Sequence, residues 1–198
     1  MRRTLVIAVI ILPLCLLAAC QGEQATVQPV EAPLPSGAAS SEIMPIEKVA
    51  KSQAGAVAQR VANTEITITY SRPVARGREL FGALVPYEQV WNPGADRATA
   101  ISFSRNVEIE GQPLPAGKYS IWAIPRADQW TMIFSRAADV YHTPYPGDNQ
   151  DALRFNVRPE RGAPMETLTF YFPVVDGKDA VLRLHWGDVV VPMALRVP

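Results

Sequence analysis

The sequence predicts an all-β fold: an antiparallel β-sandwich or jelly-roll-like domain, set behind a signal peptide and a disordered tether. Three observations predict it. Apolar and polar residues alternate with period two through most of the chain beyond residue 55, as in Glu65-Ile66-Thr67-Ile68-Thr69-Tyr70. Long helical periodicity is almost absent there. Gly, Pro, Asn and Asp cluster between the alternating segments at the spacing of short strands, which is the pattern of an antiparallel two-sheet domain.

The N-terminus is read separately. Arg2 and Arg3 precede an apolar run from Leu5 to Leu17, which ends in Leu17-Ala18-Ala19-Cys20. A run of that length falls short of the roughly 20 residues a spanning helix needs. Its basic start and small-residue end are those of a signal peptide occupying 1–19. Leu-Ala-Ala-Cys resembles the bacterial lipobox, which implies that Cys20 becomes a lipid-modified N-terminus; two or more acyl chains anchor stably where one does not. Gln21 rather than Asp after the cysteine implies, by the same resemblance, the outer membrane facing the periplasm. The expected membrane partner is therefore reached through the lipid on Cys20.

Loss of 1–19 removes Arg2 and Arg3 and lowers the basic count from 19 to 17 against 19 acids, leaving a formal charge near −2. So weak and mixed a charge gives no support for nucleic-acid binding. The chain has 2 cysteines. Cys15 leaves with the signal and Cys20 carries lipid, so neither a disulfide nor a thiolate metal site is open to the folded part. Residues 20–54 read as a lipid-anchored tether. Pro29, Pro33, Pro35 and Pro45 stand among Ala, Ser, Gln and Glu with no aromatic residue, too little apolar surface to offset the entropy of ordering. Such a chain reaches on the order of 30 Å. The segment around Ile46 has short helical potential but is assigned to the tether. One domain, 55–198, follows.

Its elements are expected in order. Ala56 to Ala62 is a first strand, and Asn63-Thr64 turns it into a second that buries Ile66, Ile68 and Tyr70. Ile101 and Phe103 point inward after the insert, followed by Val107 and Ile109. Gln112 to Gly117, with two prolines, reads as a turn. Lys118 to Ile124 and Trp130 to Ser135 form a hairpin, and Arg136 to Gln150 a long loop. Leu153, Phe155 and Val157 alternate with polar residues. Leu168, Phe170 and Phe172 then face inward, and Asp176-Gly177-Lys178-Asp179 turns the chain into Leu182, Leu184 and Trp186 before a last strand from Val189 to Val197.

Between the second strand and Ala100 lies the longest interruption, Tyr70 to Thr99. It holds four arginines (Arg72, Arg76, Arg78, Arg97) and the aromatics Phe81, Tyr87 and Trp91. Several phrases here and beyond are distinctive: Tyr70-Ser71-Arg72-Pro73, Phe81-Gly82 with Leu84-Val85-Pro86-Tyr87, Val90-Trp91 with Gly94-Ala95 and Thr99, Leu114-Pro115-Ala116-Gly117-Lys118-Tyr119-Ser120, and Trp130-Thr131-Met132-Ile133-Phe134. Together, over about Ala50 to Val197, they resemble the bacterial family known only as domain of unknown function 2911, common in predicted envelope proteins. The resemblance implies no activity. Arg97 stands where the family's wording leads one to expect an acid.

His185 reads as a solvated strand histidine. His142 lies in a Pro- and Tyr-rich loop suited to a ligand rim, and Asp148 follows it. Two histidines 43 positions apart lack the spacing of a zinc site, and no Gly-x-Ser-x-Gly elbow surrounds a serine. No catalytic residue, metal or cofactor is assigned. Arg72 and Arg78 offer guanidinium forks for a carboxylate or phosphate, or equally for the carbonyls of their own loop, and Gly77 would bring the neighbouring forks to one side. Trp91 would line that site. Trp122, opposite Tyr119 and Ile121 on its strand, is expected beside a groove, whereas Trp130 and Trp186 read as core. Ligand contact is thus expected at Arg72, Arg78, Trp91, Trp122, His142 and Asp148. Two functions stay open. One is a non-catalytic, lipid-anchored envelope binding or interaction module for a small molecule, glycan or envelope protein. The other is an envelope hydrolase of polysaccharide or peptide, built from loop acids, His142 and arginines.

Overall fold

The computed structural model describes residues 45–198. The signal segment 1–19, Cys20 and the tether as far as residue 44 lie outside the described residues. After one 3-10 turn at Ile46–Lys48, strand β1 (Ser52–Val61) runs into β2 (Thr64–Pro73). Their register is unbroken from Ser52↔Pro73 to Val61↔Thr64. The two-residue connection needs positive φ, and Ala62 supplies it at 48°. The first strand therefore begins at Ser52, earlier than the expected Ala56, because Ser52, Gln53 and Ala54 pair with the end of β2 despite their linker-like composition.

The remaining strands are β3 (Ala100–Phe103), β4 (Val107–Ile109), β5 (Gln112–Leu114), β6 (Gly117–Ile124), β7 (Trp130–Ser135), β8 (Asp151–Val157), β9 (Glu160–Asp176) and β10 (Asp179–Arg196). They form two antiparallel sheets, ordered β1-β2-β3-β6-β7-β8 and β5-β4-β10-β9. The fold is an all-β sandwich. Gln112–Leu114 corrects the turn expected there. It is a short edge strand, where proline is tolerated because its missing N–H faces away from a ladder. β9 likewise starts at Glu160, well before the expected Leu168. Gly162 and Pro164 hide its alternation, and β10 meets it through three register shifts.

The core lies between the sheets. Ile66, Ile68, Ile101, Ile121, Met132 and Phe134 from one side meet Leu168, Phe170, Leu182, Leu184 and Met193 from the other. Tyr70 ties the two together: its ring meets Phe170 edge-on at 5.0 Å, and its hydroxyl accepts the Phe170 N–H at 3.1 Å. A smaller cluster of Ala98, Trp122 and Ile133 covers the outer face of the large sheet, with Val140 and Tyr145 packed over it. Trp122 is thus 1% exposed and lines no groove, because the 136–150 loop folds down on it; its Nε1–H donates to Ser120 Oγ at 2.8 Å. His185 is corrected as well. It is 6% exposed, and its Nε2–H reaches Ala163 O at 3.0 Å.

Candidate functional site

The insert takes its course from a gap in the large sheet. β3 covers β6 only from Gly117 to Ser120, and after one further bond, from the Ile121 N–H to Thr99 O at 2.8 Å, no strand lies beside β6 on that side. Trp91 fills the gap by exchanging two 2.8 Å hydrogen bonds with Ala123. Asn92, buried beside it, donates from Nδ2 to Ile121 O at 2.7 Å and accepts the Thr99 N–H on Oδ1 at 3.2 Å. At its start the insert is fastened to the other sheet. Val74 bridges Thr167, and Ala75 N–H donates to Glu166 O at 2.8 Å. Arg76 and Gly77 then turn the chain sharply in the left-handed region (φ 54° and 68°), and the Arg76 N–H is capped by the Glu166 carboxylate.

From there Leu80 is pressed against Gly187, where a Cβ would come within 2.9 Å of the Leu80 side chain. Phe81, Trp91, Trp130 and Trp186 form one aromatic cluster, with Trp91 stacked on Trp186 at 6.1 Å and 12°. Between this arch and the irregular backbone of β9 and β10 opens a cleft of about 520 Å³, within the usual range for ligand sites. Leu80, Phe81, Met165 and Val189 make its apolar floor, and Arg78, Glu79, Arg161, Glu166 and Asp188 its rim. Tyr87, 42% exposed, stands at one end. A hollow of about 100 Å³ continues past Tyr87 and Phe81 toward Arg126 and Trp130.

Of the six residues expected at the site, Arg78 alone lines this cleft. It does so while donating from Nε to Ala75 O at 2.8 Å and from Nη2 to Val74 O at 2.7 Å. The neighbouring fork goes elsewhere, Arg76 to Val49 O, so Gly77 does not gather the arginines on one side. Arg72 crosses under β1, where Gly55 leaves room for its stem, and donates to Leu168 O at 3.3 Å and Thr169 Oγ1 at 3.0 Å. Trp91 is half-buried in the aromatic cluster. His142 donates from Nδ1 to Asp96 O at 2.7 Å. Asp148 pairs with Arg154 at 2.8 Å, beside Asp151 and Tyr145. The Tyr145 hydroxyl is pushed up to about 12, first by burial and then by its bond to Asp151, so it stays protonated near neutrality. The structure does not bring Arg78, His142 and Asp148 together; each is held by different partners. Among the described residues no group of three His, Cys, Asp or Glu side chains is arranged for a metal ion.

Sequence reasoning missed Arg161, Met165, Glu166 and Asp188. Their signal lay in the breaks of alternation at Gly162-Ala163-Pro164 and Gly187-Asp188, because bulges gather at strand ends and sites.

A family model described as "Protein of unknown function (DUF2911)" matches residues 52–195. The chain belongs to the DUF2911 family. Searches of curated proteins and of solved structures returned no match. The match begins at the first residue of β1 and ends one residue before β10 does, so in this DUF2911 chain the whole sandwich and its insert are family structure.

The two arginines of the DUF2911 insert are expected to differ in worth. Arg72→Ala leaves half-buried acceptors on β9 unpaired and should cost about 1–3 kcal/mol. Arg78→Ala frees the Val74 and Ala75 carbonyls, but the guanidinium it removes is exposed at the cleft edge, where water can take its place, so the change should cost no more than about 1 kcal/mol. Denaturant unfolding of both variants measures this. Equal losses would make Arg78 as much a structural tie as Arg72.

Proposed function

We propose that this chain is a lipid-anchored binding module of the bacterial envelope, and that the cleft edged by Arg78 and Tyr87 is its ligand site. The carrying observation is the composition of the cleft. Arg78 and Arg161 are balanced on the rim by Glu79, Glu166 and Asp188, so no dominant charge selects an anion or a cation. Arg161 is already paired with Asp188, and Glu166 caps the Arg76 N–H. Phe81 lies beneath them, and the exposed ring of Tyr87 stands at one end. Alternating donors and acceptors over an aromatic face suit a neutral, hydroxyl-rich ligand, which presents apolar C–H faces and hydroxyls together. A glycan segment is the ligand class proposed.

The test is thermal unfolding of the full-length chain in detergent, with and without soluble N-acetylhexosamine oligosaccharides at millimolar concentration. A ligand bound by the folded state alone raises the melting temperature with concentration. A rise in the parent chain that disappears in Tyr87→Ala is expected. No rise, or the same rise in both, would sink the glycan site.

The anchor has its own test. Cys20→Ala should release the protein from the membrane fraction without changing its melting temperature, because the sandwich and its core lie wholly beyond residue 51. A variant that stays in the membrane pellet would refute lipidation at Cys20.

A further inference from the structure

The sandwich has four sheet edges, and three of them are guarded. β5 is three residues long and contains Pro113. β9 carries Pro164 and Pro173, and its open side at Glu166 and Thr167 is taken by Ala75 and Val74. β8 holds Asp151 and Arg154 in an ion-pair network and is followed at once by Arg158 and Pro159. Short strands, prolines, charges and covering segments are the devices by which proteins stop strangers from pairing with an edge. Among the described residues the fourth edge, β1, has none. It runs ten residues, Ser-Gln-Ala-Gly-Ala-Val-Ala-Gln-Arg-Val, with no proline and no register shift against β2. Its one charge, Arg60, sits near the end and is paired with Glu65.

Hydrogen-bond alternation shows which groups of β1 face away from β2. Val74 N–H donates to Lys51 O at 3.1 Å, so the pairs that bond to β2 are those of the odd-numbered β1 residues. On the other side of β2, Ser104 N–H donates to Glu65 O at 3.0 Å, which fits the same phase. Ser52, Ala54, Ala56, Ala58 and Arg60 therefore turn their N–H and C=O groups toward the open edge.

We infer that β1 is a dimerisation edge, on which a second copy of this chain pairs antiparallel about a two-fold axis at Ala56. That register sets Ala56 against Ala56, Ala54 against Ala58 and Ser52 against Arg60, and it uses every open pair. It is also self-complementary. The outward side chains meeting near the axis are methyl groups, and the two Arg60 side chains fall at opposite ends of the ribbon, each facing a serine. On the inner face Gly55 meets Val57 and Gln53 meets Gln59. Nothing is charged against its own kind, and the two large sheets join into one. This interface stands apart from the cleft and does not rest on the glycan reading.

Sedimentation equilibrium of the full-length chain in detergent tests the association, and cysteine pairing tests the register. Opposed residues of a bonded antiparallel pair lie about 5.5 Å apart at Cα, inside disulfide range. Ala56→Cys should close on itself under mild oxidation well above any crosslinking seen in the parent chain. Ala54→Cys should close on Ala58→Cys when the two are mixed, and not on itself. Ala56→Pro removes an N–H that β2 does not use, and should weaken the dimer at least tenfold. If Ala56→Pro fails to fold, Ala56→Lys asks the same question by placing two ammonium groups across the axis. A monomer at every concentration up to 100 μM, on the order of weak protein association, would overturn the inference. So would a dimer unchanged by Ala56→Lys, or one in which Ala54→Cys closes on itself.

Discussion

Phe170→Ala is expected to abolish most of the soluble protein. The ring is 1% exposed at the middle of β9 and meets Tyr70 edge-on at 5.0 Å across the sandwich. Its loss removes buried apolar surface and leaves a cavity that two rigid sheets cannot close, for a cost of about 3–5 kcal/mol. That is a large part of the 5–15 kcal/mol typical of a whole domain. The vacancy also frees the Tyr70 ring, whose hydroxyl then holds the β9 backbone less firmly. Thr67→Ala is the matching control, because Thr67 lies on β2 between two core isoleucines with its own side chain in solvent. A change within about 1 kcal/mol is expected there. Thr169, which alternation alone places in solvent, does not serve, since its hydroxyl accepts a bond from Arg72. Equal melting temperatures for Phe170→Ala and Thr67→Ala would refute this account of the core.

Asn92→Ala should be the most damaging change in the insert. One side chain satisfies two buried backbone groups, Ile121 O and the Thr99 N–H. Each buried group left without a partner costs about 1–3 kcal/mol, and Thr99 and Ile121 are both fully buried. The loss should appear both in denaturant unfolding and as faster hydrogen exchange at Ala123, whose amide bonds to Trp91 next door. Unchanged exchange at Ala123, or a loss below about 0.5 kcal/mol, would show that the arch holds its place without Asn92.

Period-two alternation made Ile66, Ile68, Tyr70, Ile101 and Phe103 legible, because one face of each strand is dry and the other wet. It failed wherever a third layer or a break in the ladder intervened. Trp122 and Ile133 point away from the core and are buried all the same, since the loop carrying Tyr145 covers them. His185 is buried by the bend of β9 around Gly162, where a Cβ would crowd its ring at 3.1 Å. Neither covering segment announces itself locally. The candidate site was less legible still. Arg78 stood out by its neighbours, but the opposite wall of the cleft comes from strands some ninety residues later, joined to it through Glu166. A sequence read in order has no way to place those two walls face to face.

The ties that hold the insert also order events in folding. β1 with β2 and β9 with β10 are hairpins, whose contacts form between near neighbours and are therefore fast. Arg72 reaches Leu168 across 96 positions and Arg76 reaches Glu166 across 90, and each must wait for loops of that length to close. The arch is thus laid down after the hairpins, together with the closures of similar length, such as β10 on β4, that complete the small sheet. The hairpins would then exist before the cleft that they come to wall, so the shape of the cleft depends on the sandwich having finished closing.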